Sequence, residues 1–404
     1  YIGEAKVLRA YNYYELYTKF GDVPYTTKVL SIKESMSIAR TAKATVIANV
    51  LADLDEVING NYLPTSYDAD NKGRITRWAA MAIKAKIYLF EGNWTQVKNI
   101  TSTIMTEGGF KLFESYAGLF EIANEYNSEV ILDAQYRPTS REHQMMYVFL
   151  PPTLGGYSQL SPLQELVDSY IMLDGKTIKE TGTSFDENHP YANRDPRLKA
   201  TVMYTGNSYT LADGTEVVIN CEKGEGKDGY GVGSDCSATG YYIKKYWDNT
   251  YRATLYSGLN PILIRYADIL LMNAEALAEL GELDKTAWDA TIKPIRDRAG
   301  FTLASALEFP EGASKDKLIE IVRNERRSEL ALEGHRHKDI IRWRIADNVL
   351  NGWCHGLKTN DVVGTDDGYV RVENRTFNAN RHYLWPIPQA ERDLNGNLEQ
   401  NPNW

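Results

Sequence analysis

A mainly α-helical fold, built of paired helices beside a loop-rich and irregular half, is what the sequence predicts. Three observations carry this expectation. The segments 77–105 and 266–292 each hold a helical run, a Gly turn and a second helical run, with Ala85 and Gly92 in the first matched by Ala274 and Gly281 in the second. The segment 318–343 places Leu318, Ile321, Val322 and Leu332 on one narrow stripe at about 100° per residue, the mark of a helix packed on a core. Residues 110–260 are loop-rich and carry LGGY (Leu154 to Tyr157), ADGTE and GEGKDGYGVGSDCSATG.

Taken in order, residues 2–20 are amphipathic and Gly21-Asp22-Val23-Pro24 stops them. A second helix over 42–58 follows from Val46, Ile47, Val50, Leu51 and Leu54. The loop 59–73 carries Tyr62, Tyr67 and DADNKG, which lacks a carboxylate at the last coordinating position of a calcium loop, where Ala79 stands, and is taken as a polar turn. In 77–105, Trp78, Met81, Ala82, Ala85 and Leu89 share a face, and Gly92-Asn93 turns the chain into a helix from Trp94. With 266–292, where Leu283, Trp288 and Ile292 lie on the returning helix, this makes two helix pairs of tetratricopeptide-like spacing. They are not tandem, so the array is broken and not a plain solenoid. Asn193-Arg194-Asp195-Pro196-Arg197 is a turn whose arginines tie loops to the helical body. The Gly-rich run 224–233 has no strand before it and no helix after it, so it is not a phosphate cradle. Residues 350–381 are irregular with some strand character, and Pro386, Pro388 and Pro402 forbid regular structure at the end.

Glu325 and Glu329 fall in the middle of the apolar stripe of 318–343, and Arg336 joins them if the helix runs past Gly334. Buried carboxylates need cationic partners. Arg323, Arg326, Arg327, Arg336 and Arg342 are the near candidates, since a guanidinium grips a carboxylate bidentately. Two carboxylates one turn apart can also serve acid/base chemistry, but a buried ionic clamp of Glu325, Glu329, Arg326 and Arg336 is the reading adopted here.

Composition bounds the function. With 43% hydrophobic and 25% charged residues the chain can bury a core, and a net charge of −9 argues against nucleic acid as a partner. No run of 18 apolar residues occurs, and no signal peptide. The chain opens directly in a helix, from which a missing upstream segment is expected. Three cysteines exclude a disulfide scaffold. Cys221 and Cys236, in one Gly-rich loop, either close it by a bridge or stay free, and no Cys/His spacing matches a zinc site. Tyrosine is abundant, at 27 residues beside 8 Trp, and amphipathic rings serve both cores and sugar-binding faces.

Several stretches resemble the SusD/RagB family of glycan- or peptide-binding outer-membrane lipoproteins. They are LRAYNYYELYTKFGDVP, LSPLQELVDSYIMLDGKTI, RDPRLKATVMYTG, TGYYIKKYWD, ERRSELALEGHRHKDIIRW, and YLWPIP followed by QNPNW. They stand in family order across almost the whole chain. The resemblance implies a single SusD-like domain over 1–404, with 1–109 and 261–350 as helical-repeat scaffold, 110–260 as a loop-rich insert carrying the ligand site, and 351–404 as a C-terminal wrap. It further implies a lipid anchor ahead of Tyr1, a cell-surface location at the outer membrane, and a TonB-dependent, SusC-like transporter as partner to which oligosaccharides or peptides are handed without chemistry. No cofactor and no metal are implied.

The shared motifs are scaffold motifs, so ligand residues must be sought by physics. Sugars stack their C–H faces on exposed rings and hydrogen-bond to neighbouring polar groups. Rings outside helical periodicity are Tyr67, Tyr147, Tyr157, Tyr230, Trp247 and Tyr251. Trp247-Asp248-Asn249 is the first choice, and Tyr157, between Gly155-Gly156 and Ser158-Gln159, the second. Tyr241, Tyr242 and Tyr246 alternate like strand residues and are assigned to packing; Trp78, Trp94, Trp288 and Trp343 are assigned to helix cores. A carbohydrate-active hydrolase and an intracellular tetratricopeptide-type adaptor are the alternatives.

Overall fold

The computed structural model describes residues 1–250 and 255–404. These form two compact units, one of residues 1–109, 336–351 and 376–404, the other of 110–335 and 352–375. No described helix is long and apolar enough to cross a membrane.

In the first unit the long helices are Ile2–Phe20, Lys43–Asn59, Arg77–Phe90 and Trp94–Glu107. The first buries Val7, Ala10, Tyr14 and Tyr17 at three- and four-residue spacing, and packs them against Val46, Val50 and Leu54 of the second. Thr76 caps the third helix by accepting from the Ala79 N–H, and Asn93 caps the fourth by accepting from Gln96. Between them Gly92 adopts φ +69°, which only glycine takes without strain. The C-terminal tail returns to this helical body. Trp385 donates its backbone N–H to the Lys19 carbonyl at 2.7 Å, and the Asn401 amide donates to the Phe20 carbonyl at 3.0 Å.

The second unit contains the helices Tyr266–Leu280, Lys285–Ala299 and Lys315–Glu329. Gly281 ends the first of them at φ +73° and Ala274 is fully buried, so the Ala and Gly of the repeated spacing do the same work as Ala85 and Gly92: close packing, then a left-handed stop. Val130–Asp133 pairs antiparallel with Ile262–Arg265. Gly352–Lys358, Thr365–Asp366 and Tyr369–Arg375 form a small antiparallel sheet. The loop-rich part has its own core, in which Tyr170, Tyr209, Tyr241 and Tyr242 are buried with Met146, Val202 and Met203. Trp78 and Trp288 are buried as helix-core residues, while Trp94 and Trp343 are half-buried.

The Lys315–Glu329 helix departs from the expectation at its end. It stops at Glu329, Leu332 takes φ +64° and is exposed, and Gly334 takes φ +80°. The stripe therefore does not extend to Leu332 or to Arg336, because the left-handed residues break the helical period. Arg336 starts a separate helix, Arg336–Arg342, in the first unit, where its guanidinium lies over the Trp343 ring.

Glu325 and Glu329 are fully buried, and their guanidinium partners come from elsewhere in the chain than their own helix. Arg197 lies 2.7 Å from Glu325 and 2.8 Å from Glu329. Arg296 holds Glu325 at 2.7 Å, and Arg265 holds Glu329 at 2.6 Å. Arg298 joins Glu329 and also reaches Glu129 at 2.9 Å. Arg326, expected on this pair, extends to Asp268 at 2.6 Å. Residues one turn away on the same helix point along its surface, whereas a carboxylate aimed into the interior meets what the opposite elements supply. Burial alone would raise the Glu329 carboxyl; Arg298, Arg265 and Arg197 outweigh it and hold it below its ordinary range. Lys245 completes the network, fully buried between Glu333 at 2.6 Å and the Tyr116 hydroxyl at 2.9 Å, with burial bringing its ammonium down to about 8.

Candidate ligand-binding face

In the second unit, a short helix Met145–Phe149 and a 3-10 turn Pro152–Leu154 are followed by a tight reversal. Gly155 takes φ +83° and Ser158 φ +49°. At Gly156 there is no room for a side chain: a Cβ would stand 2.1 Å from the Leu150 carbonyl oxygen. The reversal lays residues 157–160 along the preceding helix, with the Tyr157 N–H donating to the Tyr147 carbonyl at 3.0 Å and the Leu160 N–H to that of Val148 at 2.9 Å. The two tyrosine rings meet at 4.4 Å between centroids with 34° between planes. Tyr157 is 41% exposed, and Leu160 beside it is 58% exposed.

Two residues that the sequence singles out one at a time are thus brought together as one aromatic face. One ring braces the other, so the exposed ring is held at little entropic cost. Burial, the hydrogen bond its hydroxyl donates to Tyr157 and the charges nearby push the Tyr147 phenol up, which keeps it neutral through the physiological range. Gln159 is exposed next to the platform. Such a face can stack on the C–H side of a sugar ring and hydrogen-bond its edge.

The other candidate rings are placed differently. Trp247 is half-buried, packs edge-on against Tyr209 at 5.1 Å and donates its indole N–H to the Thr210 carbonyl at 2.8 Å. Asp248 is buried and accepts from the Thr250 N–H, the Thr250 hydroxyl and the Ser257 hydroxyl, which fixes the local loop. Asn249 is half-buried in that loop. Tyr67 belongs to the first unit; the Arg74 guanidinium covers its ring at 5.0 Å and its hydroxyl donates to the Ile75 carbonyl. Tyr230 is half-buried against the loop-rich core. Tyr251 lies outside the described residues. Tyr241, Tyr242 and Tyr246 are buried.

The cysteine bridge is not formed. Cys221 is buried with a free thiol, while the Cys236 thiol donates to the Lys227 carbonyl at 3.3 Å. In DADNKG, Asp68 caps a short 3-10 turn by accepting from the Asn71 N–H at 3.0 Å, the role of a polar turn. What the sequence missed is Asp228, a buried acid in the Gly-rich run whose signal is only that it stands alone among glycines and exposed charges.

Comparison with known proteins adds a decisive observation: a family model described as the SusD family matches residues 118–404. The chain belongs to the SusD family. A second model, described as starch-binding associating with outer membrane, matches residues 1–89. Among curated relatives, the SusD-like protein P25 of Formosa agariphila is 27% identical over 367 residues, covering 86% of this chain and 64% of the relative. The chain thus spans less than two thirds of that relative's length. Among solved structures, a SusD-like carbohydrate binding protein of Bacteroides fragilis superposes with a TM-score of 0.88 at 29% identity, covering 98% of this chain and 79% of that one. A second SusD-like protein of the same organism gives 0.83 at 29% identity, covering 100% and 79%. The SusD fold of the chain, mainly helical with few short strands, agrees with these neighbours.

Proposed function

We propose that the chain is a glycan-binding subunit that captures oligo- or polysaccharide at the outer-membrane surface and passes it to a TonB-dependent, SusC-like transporter. The observation that carries this reading is the exposed Tyr157 ring braced by the half-buried Tyr147 in the loop-rich part of the second unit. Membership of the SusD family and the starch-binding description of its N-terminal model support it, as does the carbohydrate-binding name of the Bacteroides fragilis neighbour. The chain binds without cutting. Its paired carboxylates Glu325 and Glu329 are locked by arginines and closed to solvent, whereas glycoside hydrolysis needs two carboxylates facing an open cleft.

Affinity electrophoresis and calorimetry with soluble starch and laminarin test the proposal. Retardation without release of reducing sugar is expected, and Tyr157→Ala weakens binding about tenfold. Release of products from any glycan overturns the binding-only reading, and tight binding of peptides with no glycan bound moves the ligand class.

A further inference from the structure

The platform has a neighbour that the function above does not use. The Gly-rich run, 224–236, comes back on itself so tightly that a Cβ at Gly229 would stand 2.2 Å from the Glu225 carbonyl and 2.4 Å from that of Glu222. Its one buried acid is Asp228, 5% exposed, among exposed Glu222, Lys223, Glu225 and Lys227. Both oxygens of Asp228 are spent on one residue: Oδ1 accepts from the Thr153 N–H at 2.8 Å and Oδ2 from the Thr153 hydroxyl at 2.6 Å. Thr153 lies in the turn that leads into Gly155-Gly156-Tyr157. The Tyr242 hydroxyl, from the core, donates to the Asp228 carbonyl, and the Cys236 thiol closes the far end of the run onto Lys227.

Asp228 therefore fastens the Gly-rich run to the same turn that projects Tyr157. A buried carboxylate with neutral donors is costly to break, because removal of either partner leaves a desolvated group. We infer that Asp228 is a positioning residue of the ligand face, that through Thr153 it sets the turn that carries Tyr157, and that the Gly-rich run it anchors is the second wall of that face. This rests on the tyrosine face being the ligand site.

Calorimetry of the full chain with laminarin and soluble starch tests the inference, on wild type and on Tyr157→Ala, Asp228→Asn and Thr153→Val, each checked for a cooperative melt. Wild type is expected to bind at least one of the two glycans, and Asp228→Asn and Thr153→Val each weaken that binding about tenfold. Should Asp228→Asn fail to fold, Thr153→Val, which exchanges the hydroxyl for a methyl and keeps the backbone N–H bond, carries the same reading. Loss of binding in Tyr157→Ala with wild-type affinity in both Asp228→Asn and Thr153→Val overturns the second wall and leaves the tyrosine face standing. Wild-type affinity in Tyr157→Ala, or no binding to either glycan, overturns both.

Discussion

Arg197 meets Glu329 across 132 residues of sequence, Nη1 to Oε2 at 2.8 Å, and the same guanidinium holds Glu325 and Asp195. Through it the turn at 193–197 is tied to the Lys315–Glu329 helix. Three arginines converge on Glu329 alone.

Glu329→Gln therefore removes a carboxylate shared by three buried guanidiniums, leaving the cluster with an excess of positive charge, and is expected to cost about 3–5 kcal/mol of stability, read from urea unfolding. Acid does the same in wild type. A carboxyl held below its ordinary value stabilises above the unfolded value of about 4.3 and loses that contribution as the pH falls through the native one. The urea midpoint of wild type should fall with acidification in that range, and that of Glu329→Gln should fall less.

His355 sits between Glu165, 2.8 Å from Nδ1, and Asp366, 3.0 Å from Nε2, joining the 352–375 sheet to the helix Gln164–Ser169. Burial lowers its affinity for a proton, but the two carboxylates outweigh burial and raise it above the usual value. The stabilisation is complete below the unfolded value of about 6.5 and is lost as pH rises through the higher native one. The difference in melting temperature between wild type and His355→Asn should be largest at about pH 6 and shrink in mildly alkaline buffer.

Trp247 and Tyr157 should separate stability from binding. Trp247→Phe removes the hydrogen bond to Thr210 and is expected to cost about 1 kcal/mol in unfolding while leaving glycan affinity unchanged. Tyr157→Ala should do the reverse, with a melt close to wild type.

Gly156→Ala tests how the platform is built. The added Cβ meets the Leu150 carbonyl at 2.1 Å, so the backbone must shift; a loss of about 1–3 kcal/mol is expected in a denaturant melt. The displaced Tyr157 should weaken glycan binding measurably in calorimetry.

Thiol labelling reads the loop directly. Cys221 is buried and its thiol is pushed up by burial, and Cys354 is buried as well, whereas Cys236 is partly exposed. A maleimide should modify Cys236 in the folded chain, and the other two only after unfolding.

Much of the scaffold is legible in the sequence alone. Val7, Ala10, Tyr14 and Tyr17, or Ala85 followed by Gly92, announce themselves because helical periodicity and a left-handed stop are local. Burial of Glu325 and Glu329 was legible too, from their place in an apolar stripe. Their partners were not, since Arg326 lies next to them in sequence yet extends to Asp268, while Arg197, Arg265, Arg296 and Arg298 arrive from other elements. Trp247 looked like the best sugar ring because a Trp-Asp-Asn run carries suitable chemistry, but the indole N–H and the Asp248 carboxylate are spent on the loop itself. Tyr147 and Tyr157 were each visible as loop tyrosines, but nothing in a linear pattern pairs them.

The sequence by itself determined the long paired helices, the glycine stops at Gly92 and Gly281 and the need for an ionic interior, because propensity, periodicity and the cost of a buried charge act over one or two turns of chain. Only the tertiary structure decided which arginines answer which glutamates and which tyrosine faces stay open to a ligand. Those outcomes depend on the path of loops such as 150–158, where a glycine with no room for a Cβ sets the direction of the ring that follows.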